Sequence, residues 1–188
     1  MQRNKIYFSF LVLPLFSFSL LANDMYSELE LKQEAINIVK KFGGTLKPKL
    51  KAGIAAGGFV NAVDVCAVEA PKIASTLSLA TGWQVKRVSL KPRNINATPD
   101  AFERKALEQF NKLQAEGHSP SELVYSEIID NQYRFMKAQP VEGLCLGCHG
   151  KSVADDVQKI IKEHYPADQA QGYSLGQIRG AFSLVKKL

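Results

Sequence analysis

The chain has 188 residues, with 24 lysines and arginines against 18 aspartates and glutamates, and three cysteines. This length suits one domain, and a content of 46% hydrophobic and 22% charged residues excludes an intrinsically disordered or collagen-like chain. The net charge of +6 is not concentrated in a dense basic cluster. We therefore expect an acidic protein partner rather than nucleic-acid binding.

The first 22 residues have the pattern of a secretion signal. A basic segment, residues 2–5, precedes an apolar stretch, residues 6–21, and the small residue Ala22. We predict a signal peptide over residues 1–22 and an exported, periplasmic domain over residues 23–188. The alternative is that the segment is retained as an N-terminal anchor. After cleavage we expect no integral membrane span.

Helical periodicity dominates the first part of the domain. Apolar residues recur at steps of three and four over residues 25–56, which predicts a helix. Gly43-Gly44 and Pro48 predict a bend within it, and Gly57-Gly58 predicts its end.

A second helix is expected to follow, with Cys66 on its apolar stripe. Pro71 either interrupts this helix or begins a third one over residues 71–79. Thr81-Gly82 is expected to end the helical region.

Strands dominate the later part of the chain. Val-rich and alternating apolar patterns predict strands, and Thr98-Pro99 predicts the start of a helix. The expected elements are a strand over 83–90, a helix over 98–116, a β-hairpin formed by 123–129 and 133–137, a helix over 153–165 and a strand over 178–185. The resulting class is α+β, with a long N-terminal helix and an antiparallel sheet flanked by helices.

The motif Cys145-Leu146-Gly147-Cys148-His149 is the attachment pattern of a c-type haem. Two thiols at this spacing can reach the two vinyl groups of one porphyrin, and the imidazole that follows can bind the iron. A thioredoxin-like redox pair, half of a zinc site and a plain disulfide are the alternatives. We favour one covalent haem c, because export supplies the compartment in which it is attached and no second Cys/His pair has zinc-site spacing.

Cys66 is the one cysteine that the attachment motif does not use. It is either a buried core residue or a thiolate ligand of the iron opposite His149. The other candidates for that sixth position are Met136, His164, His118 or no residue at all.

Three further segments accompany the attachment motif, and together they resemble one family. The segments are Asp64-Val65-Cys66-Ala67 with Ala70-Pro71, the run from Arg87 through Lys91-Pro92-Arg93-Asn94, and Gly180-Ala181-Phe182-Ser183. The chain resembles the exported, PAS-like haem c proteins first recognised in a cyanobacterial c-type cytochrome. These proteins also occur as sensory domains of histidine kinases and chemoreceptors. The resemblance implies a PAS-like fold and an iron ligated by Cys66 and His149.

Lys91 and Arg93 are candidates to bind the haem propionates, because both are cations in a loop that belongs to this resemblance. The alternative is that they are solvated surface residues. Arg179 is a weaker candidate for the same contact.

Two functions agree with these features. The first is a haem module that senses redox state or a small ligand, acting through a signalling partner. The second is a periplasmic electron carrier whose basic surface suits an acidic redox partner. We do not expect an enzyme, because no histidine is well placed as a distal acid–base group. A four-helix cytochrome does not agree with the predicted strands.

Overall fold

The computed structural model describes residues 19–188, with side chains from residue 28 onward. The predicted secretion signal, residues 1–22, therefore lies almost entirely outside the described residues, and its cleavage stays a prediction.

The longest element is helix α1, Ser19–Thr81. It is interrupted at Gly57-Gly58, where Gly58 has φ 69° and ψ −164°. Glycine adopts this positive φ without steric cost, so the predicted break at Gly57-Gly58 is confirmed. The helix continues without a break through Gly43-Gly44, Pro48 and Pro71, so Pro71 does not begin a separate helix, and the bend predicted at Gly43-Gly44 and Pro48 stays a prediction. Buried neighbours such as Phe42 hold the helix there, and packing outweighs local propensity.

The sheet has four strands in the order β1-β4-β3-β2, and every neighbouring pair is antiparallel. The predicted hairpin is confirmed, with Asp130 at φ 50° and Asn131 at φ 58° in its two-residue turn. The strands are β1 Gln84–Val88, β2 Val124–Ile129, β3 Gln132–Pro140 and β4 Ile178–Lys187.

Three further helices flank the sheet or join its strands: α2 Ala101–Ala115, α3 Leu146–His149 and α4 Asp155–His164. Helix α2 begins two residues later than predicted, because Asp100 rather than Thr98 caps it. The Asp100 carboxylate accepts a hydrogen bond from the backbone N–H of Glu103, and the Glu103 side chain accepts one from the backbone of Asp100. Short 3₁₀ segments that the sequence patterns did not predict lie at Ile95–Ala97, Pro120–Glu122 and Gly143–Cys145.

Two hydrophobic clusters cover the two faces of the sheet. Helix α1 packs on one face, where Phe42 contacts Phe182 edge-on with ring centroids 5.1 Å apart. Helix α2 packs on the other face through Phe110 and its neighbours around Met136. A third, smaller cluster joins α4 to the part of α1 beyond the kink. The predicted α+β class is confirmed.

The span Glu28–Thr81 of α1 is long and apolar enough to cross a membrane, as judged by length and composition alone. Its most apolar 18-residue window has a mean hydropathy of 1.3, and 17% of that window is buried. Phe42 and Leu46 of the same helix pack against the sheet. The expectation of no membrane span after signal cleavage stays a prediction.

A buried carboxylate links helix α2 to the sheet. Glu103 has no exposed side-chain surface, and one of its oxygens accepts a hydrogen bond of 2.6 Å from the hydroxyl of Ser183. The ammonium group of Lys86 lies 2.9 Å from the same oxygen, and Arg134 lies 3.8 Å from it. This carboxylate therefore neutralises two cations beside the core.

We predict that Glu103→Gln lowers the free energy of unfolding by about 2 kcal/mol, because charge-assisted hydrogen bonds are lost while the shape is kept. Glu108→Gln, an exposed change on the same helix, is the control and should shift stability by less than about 0.5 kcal/mol. Urea unfolding followed by circular dichroism measures both changes. Equal stability of the two variants would contradict the prediction.

Candidate functional site

The attachment motif folds as one compact turn. Gly143–Cys145 is a 3₁₀ segment that runs directly into α3, and α3 ends at His149. The backbone N–H of Gly150 closes the turn on the carbonyl oxygen of Leu146 at 2.9 Å. Residues three apart in a helical turn share one side, so the thiols of Cys145 and Cys148 lie on a common face. Both are half-buried, and neither forms a disulfide.

Gly147 fixes this turn against α1. A Cβ atom at Gly147 would lie 2.3 Å from the ring of Phe59, the residue directly after the kink. Cys66 follows Phe59 by seven residues and so lies on the same face of the helix. Phe59 and Cys148 also pack in the same hydrophobic cluster. Cys66 therefore lies on the side of α1 that faces the attachment turn.

The three thiols lie close enough to influence one another electrostatically. Burial raises the pKa of Cys66, while the charges of Arg87 and Arg93 oppose that shift. Burial likewise raises the pKa of Cys148 to about 11. Both thiols are therefore protonated at neutral pH until a bond to carbon or to a metal replaces the proton.

His149 is held in one tautomer. Its Nδ1 lies 2.7 Å from the carbonyl oxygen of Ala170, which can only accept, so Nδ1 carries the proton and Nε2 has a free lone pair. Desolvation, together with the charges of Arg179 and Arg93, holds the pKa of His149 well below its usual value. A neutral imidazole with a free Nε2 and an anchored Nδ1–H is the form that ligates metals.

Arg93 ties the attachment turn to the loop before β4. Its Nε lies 3.1 Å from Oδ1 of Asp168, and the two side chains are 12% and 7% exposed. Its Nη2 donates to the carbonyl oxygen of Cys148 at 2.5 Å. Lys91 is exposed, and its Nζ donates to the carbonyl oxygen of Gln171 at 2.5 Å. Both predicted propionate ligands therefore have protein partners, and that assignment stays a prediction.

The sequence patterns gave little or no weight to three side chains near the site, which are Arg179, Arg87 and Tyr165. Arg179 brings its Nε within 3.2 Å of Nδ1 of His149. Arg87 lies on β1 with its guanidinium 5.2 Å from the ring centroid of Phe42, and its charge acts on Cys66. Burial raises the pKa of Tyr165, and Cys66 raises it further. Arg87 and Val85 lie two residues apart and so share one face of β1. A cation on the buried face of a predicted strand is the sequence signal that could have identified Arg87 as a site residue.

The other candidates for the sixth iron position lie elsewhere. Met136 is fully buried in the α2-side cluster, across the sheet from α1. His118 is exposed in a turn. His164 pairs with Asp64 at 2.5 Å on the surface. Of the four sulfur and imidazole candidates named from the sequence, Cys66 is the one the structure places beside the attachment turn.

The donor set fits a haem c. Two half-buried thiols share one side of a turn, the turn ends in a neutral imidazole with a free Nε2, and a third thiol lies on the adjoining helix. Apolar side chains of the third cluster, including Phe59 and Val63, pack with Cys148.

Comparison with known proteins agrees with this chemistry. A search of curated protein sequences gave no match. A solved structure described as the crystal structure of the cyanobacterial heme-protein Tll0287 is similar to this chain with a TM-score of 0.65 and 26% sequence identity. The similarity covers 82% of this chain and 93% of that one. The sequence model of the Tll0287-like family matches residues 20–186, and the chain therefore belongs to the Tll0287-like family of haem proteins.

Proposed function

We propose that this chain is an exported cytochrome that carries one haem c, bound covalently through Cys145 and Cys148 with His149 as an axial ligand of the iron. The observation that carries the proposal is the bond between Nδ1 of His149 and the Ala170 carbonyl, which orients Nε2 at the end of the attachment turn. Membership of a haem-protein family supports it.

Cys66 is the proposed second axial ligand. It lies on the face of α1 that carries Phe59, and Phe59 contacts the attachment turn at Gly147. When bound, the haem supplies one-electron and small-ligand chemistry at its iron. Cys66 would supply a thiolate to the iron, which would donate electron density and lower the reduction potential.

The proposed activity is sensing of redox state or of a small ligand, in the periplasm and without enzymatic turnover. The supporting observation is the position of Cys66 on the part of α1 that follows the Gly57-Gly58 kink and lies beside the attachment turn, so that an iron–thiolate bond would join these two segments. If an external electron donor reduced the iron and the bond were lost, this part of α1 would be held by its apolar packing alone. The alternative is an electron carrier, which the net charge of +6 would suit for docking on an acidic partner.

We predict that haem stays with the polypeptide after acid–acetone extraction, because thioether bonds do not dissociate. Mass spectrometry should show one haem per chain in the wild type. Cys145→Ala with Cys148→Ala should abolish this attachment, whereas Cys66→Ala should preserve it. Pigment extracted from the wild type would contradict the proposal.

We predict that Cys66→Ala raises the reduction potential and accelerates binding of cyanide and carbon monoxide, because the electron-donating thiolate is removed and the sixth position opens. Electron spin resonance should lose the low-spin thiolate signal. Met136→Leu and His164→Gln are controls and should retain the wild-type spectrum. An unchanged Cys66→Ala spectrum in both oxidation states would assign Cys66 to the core alone.

Hydrogen exchange distinguishes the sensor from the carrier. If the thiolate bond yields on reduction or on carbon monoxide binding, we expect residues 59–70 to exchange faster in that state than in the ferric protein. Residues 35–46, which pack against the sheet, are the internal control and should not change. Equal exchange in both states, with rapid electron transfer to an acidic partner, would favour the carrier.

A further inference from the structure

Positive charge is concentrated around the candidate haem site. Arg87, Arg93 and Arg179 all lower the pKa of His149, and the charges of Arg87 and Arg93 also act on Cys66. Among the described residues, Asp168 is the carboxylate that pairs with one of these arginines, and it is taken by Arg93. A guanidinium that is partly removed from water without an anionic partner is costly. Two arginines therefore remain without a counter-charge.

Arg179 has unused donors that point into the site. Its Nη1 donates to the carbonyl oxygen of Lys91 at 3.3 Å. Its Nε lies 3.2 Å from Nδ1 of His149, but that nitrogen already carries the proton donated to Ala170. Two donors thus face each other, and the Nε–H of Arg179 has no acceptor there. The guanidinium is held over the ring of Tyr173 at 5.6 Å, which fixes its position without neutralising its charge.

Arg87 has even fewer partners. Its guanidinium lies over the ring of Phe42 at 5.2 Å, on the face of β1 that α1 covers. Among the described residues it makes no side-chain hydrogen bond and no ion pair, in contrast with its neighbour Lys86, which pairs with Glu103. Its five donors are therefore available to an anion on the Cys66 side of the sheet.

We propose that Arg87 and Arg179, rather than Lys91 and Arg93, each bind one of the two haem propionates. This inference rests on the proposed haem c function. Two carboxylates match two unpaired guanidiniums in number and charge, and the planar guanidinium fork suits a carboxylate. Arg93 is already neutralised by Asp168, and it acts as a clamp on the carbonyl oxygen of Cys148. Lys91 is exposed and bonded to Gln171.

The test uses the full-length protein with covalent haem, in the variants Arg87→Gln and Arg179→Gln. Infrared difference spectra of protein with ¹³C-labelled propionates report the protonation of each carboxyl group. We expect each variant to raise the pKa of one propionate, so that a protonated carboxyl band appears between about pH 5 and 7 where the wild type shows none. The reduction potential should also decrease at pH 7, because a nearby cation disfavours the ferric state.

Two control variants test whether the effect on the carboxyl spectrum depends on where the removed cation lies. Arg104→Gln removes an exposed arginine from α2, and Lys91→Gln removes the exposed loop cation. Both should keep the wild-type carboxyl spectrum. Arg87→Lys keeps a positive charge at this position, so it should raise the pKa of the propionate less than Arg87→Gln does. Because the haem is covalently bound, its absorbance verifies that each variant is loaded, and far-ultraviolet circular dichroism verifies that it is folded.

Two results would overturn the inference. One is a carboxyl spectrum unchanged in Arg87→Gln and Arg179→Gln but altered in Lys91→Gln. The other is a change in the thiolate signal of Arg87→Gln without any carboxyl change, which would assign Arg87 to the sulfur of Cys66. Absence of covalent haem from the wild type would instead refute the proposed function itself, so the two failures are distinguishable.

Discussion

The close contact of Gly147 with Phe59 is the constraint on which the site depends. A Cβ atom at Gly147 would lie 2.3 Å from the Phe59 ring, so any larger residue at this position would require the Phe59 side chain to move. This contact, together with the packing of Cys148 against Phe59 and Val63, places the part of α1 after the kink beside the turn. Cys66 lies beside the turn because it is seven residues from the same phenylalanine.

The kink at Gly57-Gly58 makes that contact compatible with the fold. Before the kink, α1 packs its apolar residues on the sheet, around Phe42 and Leu46. After it, the helix packs on α4 through Val63, and Ala70, Ile73 and Leu77 join the same sheet-side cluster. The chain reverses direction at the kink, since the ammonium group of Lys49 lies 3.0 Å from the carboxylate of Glu69. The positive φ of Gly58 allows this reversal, so the second part of α1 packs against both the sheet-side cluster and α4.

Sequence patterns predicted the elements whose conformation depends on residues close together in the chain. The Asp130-Asn131 hairpin, the alternating strands and the attachment motif follow from residues close together in the chain. The bend was assigned to Gly43-Gly44 as well as to Gly57-Gly58, since the two dipeptides are locally identical and tertiary packing alone distinguishes them. The contact between Arg93 and the Cys148 carbonyl spans 55 residues and has no local signal. For the same reason, Arg93 looked like a free cation in the sequence.

Burial in the site favours the neutral forms of the two thiols and of the imidazole. A bound ligand is needed to stabilise a thiolate there. Burial raises the pKa of Cys66 and Cys148 and, with Arg179, lowers that of His149. The thiols are therefore protonated and the imidazole is neutral, while Arg87 and Arg179 leave positive charge unmatched. A ligand that brings two carboxylates and a Lewis-acidic centre corrects both imbalances at once. Its anions would neutralise the guanidiniums, and its metal would stabilise the thiolate that burial alone disfavours.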